Sequence, residues 1–210
     1  MDEKKESFLA RISQYPIITV FILFLMGLSV IFFNNYHLSQ KIIKNNSEQF
    51  SDEFLTITAI VGKVYASEVV KRAKKGGTLA SHEYKKHPGA IPVPATFNLL
   101  LSEEISKAKT GVKSYLYSDY PFTHRGKATQ KDTFQRNALT NLQKDPTKPY
   151  YSYEPINGIN YLRYAKAVIM KQACVTCHNS HPQSAKTDWK VGQVRGVREV
   201  DVPLESSTKI

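Results

Sequence analysis

Only two cysteines occur in the chain, at Cys174-Val175-Thr176-Cys177-His178. That constrains the fold twice over. With no further cysteine there is no disulfide framework, so an apolar core must hold the molecule together. And C-x-x-C-H is the signature of covalent c-type haem attachment, so the late part of the chain must shape a haem site. The two thiols add across the two vinyl groups of the porphyrin, and the two residues between them set the span. His178 then offers an imidazole nitrogen to the iron as proximal ligand. Three readings compete. Cys174, Cys177, His178 and His181 could form a zinc site, but such sites usually set the histidines further from the cysteines. A thioredoxin-like redox pair calls for a βαβ context and a helix N-terminus, and neither is visible. Chance is the third. One covalently bound haem c is the favoured reading.

A length of 210 residues suits one globular domain and a membrane element. The formal charge is +11, from 29 Lys and Arg against 18 Asp and Glu. Two haem propionates would lower it by about two. A basic surface attracts anionic lipid headgroups or acidic redox partners. Nucleic acid is not expected, because the cations are scattered and no nucleic-acid motif is present. Lys71-Arg72-Ala73-Lys74-Lys75 reads as a solvated helix end.

Ile17 to Phe33 is apolar apart from Thr19, Gly27 and Ser29, with Tyr15 and Tyr36 as flanking aromatics. A cleaved signal peptide is the alternative. Asn34-Asn35-Tyr36-His37 offers no small-x-small cleavage site, so an uncleaved single-pass anchor is favoured. Haem c attachment is completed on the export side of a bacterial membrane. The expected arrangement is therefore a cytoplasmic N-terminus over 1–14, a span over 15–36 in the inner membrane, and the remainder in the periplasm or outside. A helical stalk follows over 37–51, then the haem domain over 52–204 and a tail over 205–210.

Phe50, Phe54, Ile57, Val61, Val64 and Tyr65 recur at helical steps, which predicts an amphipathic helix from Leu38 to about Lys75, ended by Gly76-Gly77. Lys86 to Pro94 is extended or loop. A helix runs from about Ala95 to Lys109 with Thr96 as cap, and a strand from Val112 to Tyr117. A third helix spans Lys131 to Gln143. Tyr150–Glu154 and Ile159–Ile169 form a hairpin across Asn157-Gly158, with a turn that Pro155 lengthens. A last strand spans Val191 to Val202. The fold class is α+β: a long N-terminal helix, short helices and an antiparallel sheet of three to five strands.

Several blocks carry a resemblance. They are Ser81-His82-Glu83-Tyr84-Lys85, Pro88 through Phe97, Tyr115 through Phe122, Cys174 through Asn179 with His181-Pro182, and Asp188 through Val197. In this order the chain, from about Asp52 to Leu204, resembles a bacterial PAS-like, c-type-haem-binding domain family first catalogued as a domain of unknown function. Its members often stand ahead of histidine kinases, nucleotide cyclases or chemoreceptors. The resemblance implies a PAS-like sheet and a sensory role. Sensor members commonly continue into a second span and an output domain, whereas this sequence stops at Ile210. The expectation is either a stand-alone anchored haem protein or one piece of a longer receptor.

The iron's sixth position separates the functions. Thiolate is excluded, since both cysteines are spent on the porphyrin. His37 and Met26 belong to the membrane end, and Met170 reads as core filler. His87 is a further candidate, His181 belongs to the proximal side or rim, and His124 reads as an exposed turn residue. His82 is the leading distal candidate, against the plainer reading of a loop histidine. Leu38 to Ser81 contains no His, Met or Cys, so a helix covering the distal face would leave the iron five-coordinate or labile. Arg125, Arg163, Lys166 and Lys190 are candidate propionate partners. Trp189 and the hairpin tyrosines either wall the haem edge or simply pack the sheet. The expected function is a redox or diatomic-gas sensory module. A signalling output protein or redox partner is expected, as is a homodimer through the long helix. A membrane-tethered electron-transfer cytochrome is the alternative. Catalysis is not expected, because no paired distal His and Arg is seen.

Overall fold

The computed structural model describes residues 16–108, 110–125 and 131–204; the expected cytoplasmic segment 1–14 and tail 205–210 lie outside them. The chain divides into two compact units with the boundary between Asn45 and Asn46. Among the described residues one helix is long and apolar enough to cross a membrane, and it lies near the N-terminus, as a signal sequence would too. It comprises α1 (Pro16–Val64), a π-helical stretch Tyr65–Val70 and α2 (Lys71–Lys75). The sequence pattern predicts an uninterrupted α-helix here. The π stretch instead carries Tyr65, whose hydroxyl donates to the Pro92 carbonyl at 2.7 Å and whose ring stacks on Phe97 at 4.0 Å. Gly77, at φ 82, ends the helix in the left-handed conformation.

The second unit is a sheet with helices on both faces. Four antiparallel strands run in the order β3 (Lys113–Tyr117), β6 (Val194–Pro203), β5 (Ile159–Ile169), β4 (Tyr150–Ile156). Alternation along β5 and β6 sends side chains to two cores. Leu162, Tyr164, Val200 and Val202 meet Leu55 of α1. Ala165 and Val197 meet Phe134, Ala138, Leu139 and Leu142 of α4 (Thr133–Lys144). These α4 positions fall on one helical stripe, and Asp132 caps the helix by accepting from the Gln135 N–H at 2.9 Å.

The face that α1 turns to the sheet is not the expected one. Ser47, Ser51, Leu55, Thr58 and Gly62 are buried, while Phe50, Ile57, Val61 and Val64 are exposed and Phe54 only partly packs. Small side chains let the helix come close to the large residues of the sheet. Polar ties then fix the register. Asp52 accepts from Tyr164 at 2.9 Å and from Lys166 at 2.8 Å, and Tyr153 donates to Glu48 at 2.6 Å. The Lys166 bond, with that of Tyr164, more than offsets burial and holds the Asp52 carboxyl below its usual range.

Three local expectations change. The β4–β5 turn has only two residues, Asn157 (φ 52) and Gly158 (φ 79), as in a type I′ hairpin; Pro155 is tolerated because β4 is an edge strand. Helix α3 (Pro94–Lys107) starts on Pro94 at its first turn rather than on a Thr96 cap. The C-x-x-C-H segment, given no helix from the sequence, is helical, α5 (Gln172–Ser180). A two-residue parallel ladder, β1 (Ala80–Ser81) with β2 (Ile91–Pro92), closes the loop that bears His82.

Candidate haem site

Helix α5 leaves the end of β5 and presents Cys174 and Cys177 one turn apart, the first half-buried and the second exposed, with neither in a disulfide. Its position is fixed from outside the helix. Asn179 donates from Nδ2 to the Trp189 carbonyl and accepts the Trp189 N–H at Oδ1, both at 2.9 Å. Trp189 is buried and meets Tyr120 edge-on at 5.5 Å. The helix ends at His181, whose Nδ1 accepts from the Gln183 N–H at 3.1 Å.

His178 is half-buried against Phe122, with ring centroids 4.8 Å apart. Arg195 Nε donates to its Nδ1 at 3.3 Å. Burial, helped by the positive charges of Arg195 and His181, pushes the imidazole down to about 4. It is therefore neutral at pH 7, the form that ligates a metal. Arg195 is held in turn by Ser118, which accepts from Nη1, and by the faces of Trp189 and Phe122. Burial pulls this guanidinium below its usual value.

Phe122 is the hub of the site. His181 meets it edge-on at 4.9 Å, and His124 stacks on it at 5.6 Å. His82 stacks in turn on His124 at 3.8 Å. So the expected turn residue His124 is half-buried inside the cluster, and His82 is beside it. Pairing of His124 Nδ1 with Gln183 Oε1 at 2.7 Å requires Nδ1 to carry the proton. Its Nε2 is then a bare lone pair, buried and without a hydrogen-bond partner among the described residues. Burial lowers this imidazole as well. His87 is exposed, and Met170 is buried at 1% exposure.

Of the candidate propionate partners, Arg163 sits in a carboxylate cluster, Lys166 pairs with Asp52 and Lys190 is exposed. Arg125 donates to Thr96 at 3.1 Å and lies close enough for its charge to act on Arg195 and His124. Tyr153 and Tyr164 tie the sheet to α1. Among the described residues no group of three or more His, Cys, Asp or Glu is placed to hold a metal ion. Two unpaired thiols on adjacent turns and a neutral imidazole immediately after them lie together on α5. Phe122 and Arg195 were not named as site residues from the sequence, and His124 was weighed but read as an exposed turn residue. The Phe122–His124 segment is tied to the stretch after α5 by the Thr123 N–H donating to the Gln183 carbonyl and by His124 with Gln183, while Arg195 comes from β6, which pairs with β3.

These features define a mixed α/β protein. A long N-terminal helix, apolar at its start, packs in its later part on an antiparallel sheet, and a histidine–aromatic–arginine cluster adjoins the C-x-x-C-H helix. The chain belongs to the Tll0287-like family: the family model (Tll0287) matches residues 34–203. No curated protein matches it.

Proposed function

We propose that the chain is a membrane-anchored, export-side haem c protein with a PAS-like domain, acting as a redox or diatomic-gas sensory module. The observation that carries this is the pairing of Cys174 and Cys177 on α5 with a neutral, half-buried His178. Cys174 and Cys177 would hold the haem by thioethers and His178 would be its axial ligand. Bound there, haem supplies a one-electron couple and an iron position open to a small ligand or a further side chain.

The chain's own residues do the rest. Asn179 and Trp189 fix the helix that bears the thiols. Arg195 donates to Nδ1 of His178, which in the neutral ring puts the proton on Nε2. To hold a metal through Nε2 the ring would have to carry that proton on Nδ1 instead, with Arg195 turned away from it. The guanidinium places a half-buried positive charge beside the ring. Such a charge favours the reduced state of a nearby redox centre. For the sixth ligand the bare Nε2 of His124 is a stronger candidate than His82, which stacks behind it. The output element is α1, tied to the sheet at Glu48 and Asp52, so a change at the site is passed through β5 and β6 to a helix able to shift.

The test is the absorption spectrum of the ferrous full chain, matured in cells competent for haem c attachment, before and after carbon monoxide. A prompt shift supports the sensory reading. An unchanged low-spin spectrum that turns high-spin in His124→Ala favours the alternative, a tethered electron-transfer cytochrome.

A further inference from the structure

At the other end of β5 and β6 from α5, on the α4 face of the sheet, lies an ionic cluster unrelated to the cysteine helix. Arg163 stands against four carboxyl groups. Its Nη1 lies 2.9 Å from Glu154 Oε1 and 2.9 Å from Asp132 Oδ2, its Nη2 is 2.5 Å from Glu199 Oε1, and its Nε is 3.5 Å from Asp201 Oδ1. Glu199 is 0% exposed and Asp201 2%. One guanidinium cannot neutralise four carboxylates. Nor can it satisfy their oxygens: Asp201 Oδ1 and Glu199 Oε2 are buried with no hydrogen-bond donor among the described residues. Asp132, Glu154, Arg163 and Asp201 line a cleft of 710 Å³, walled by Tyr115 and Phe134. That volume is of the size that holds a small molecule. A buried carboxyl oxygen facing such a space without a donor is costly unless something supplies one.

We propose that this cleft binds a small ligand bearing a protonated primary amine, whose N–H groups donate to Asp201 and to the carboxylates at the mouth, Glu154 and Asp132. Positive charge offsets the carboxylate excess, and Tyr115 offers a face for the ligand's carbon chain. The face of Phe134 is already taken by Arg163, 4.3 Å from its centroid. Without ligand, burial and the charge of Glu199 push the Asp201 carboxyl up to about 8. The groups facing it are Glu199 on β6, Arg163 on β5, Tyr115 on β3 and Asp132 at the start of α4, and Tyr117 on β3 faces Glu199. Asp201 is therefore the carboxyl of the four most prone to take up a proton, and an incoming ammonium stabilises its ionised form and releases that proton to solvent.

The test is calorimetry on the full chain in detergent, with n-butylamine, 1,4-diaminobutane and lysine as probes and n-butanol as the uncharged control. Titrations at pH 7 use two buffers of different ionisation enthalpy. At least one amine should bind while butanol does not, and the heat should depend on buffer because protons are released. Glu154→Gln, a change at the half-exposed rim, should weaken binding by about tenfold or more, as should Asp201→Asn. If Asp201→Asn fails to fold, Glu154→Gln still decides. Binding by none of the three amines, or undiminished binding by Glu154→Gln, would overturn the proposal.

Discussion

Single side chains set the chemistry at both ends of the sheet. At α5, Cys174 and Cys177 are each expected to carry one thioether. Cys174→Ala or Cys177→Ala should leave a chain with at most one covalent bond to haem, and the double variant none, read as haem stain on a denaturing gel. At the opposite end, the Asp201 carboxyl has an ordinary value of 3.8 and is pushed up to about 8 in the fold. The native state thus binds the extra proton between those values, and stability must fall as pH rises through that window. Asp201→Asn removes this contribution. The variant should therefore gain stability relative to the parent as pH increases from about 4 to 8, measured by denaturant unfolding at several pH values. A constant difference across the range would contradict the assignment.

At the scale of elements, close approach rather than bulk apolarity places the helices and strands. A Cβ on Gly196 would lie 2.4 Å from the Tyr117 carbonyl oxygen and 3.1 Å from Ser118 Cβ. The first is backbone and cannot swing away, so Gly196→Ala should cost about 1–3 kcal/mol and disturb the β3–β6 contact that brings Ser118 to Arg195. Unfolding would show the loss of stability, and a displaced Arg195 would show in the spectrum of the haem-loaded protein. Leu142, 1% exposed under α4, should cost about 2–5 kcal/mol as Leu142→Ala. The elements themselves were legible from alternation, turn residues and proline positions, and Asn157-Gly158 marked its hairpin correctly. The docking face of α1 was not. Its apolar residues surround much of the helix, and periodicity alone selected Phe50, Ile57, Val61 and Val64. The buried face instead carries Ser47, Ser51, Leu55, Thr58 and Gly62, with Leu55 in the core of the sheet and Gly62 hard against Asn98 of α3. The histidine cluster was illegible for a related reason. His82, His124 and His178 are far apart in the chain, and only the fold of the 118–125 and 183 segments stacks them around Phe122.

Across the whole molecule the account joins a Tll0287-like domain to a helix whose start has the length and composition of a membrane span or signal sequence. The central claim is that haem is covalently held at Cys174 and Cys177. The most direct measurement is haem staining of the full chain on a denaturing gel, after expression in cells with the machinery for haem c attachment. The account predicts a stain that migrates with the chain and disappears in the double variant Cys174→Ala, Cys177→Ala. A colourless wild-type chain, or one that releases its haem on denaturation, would contradict it.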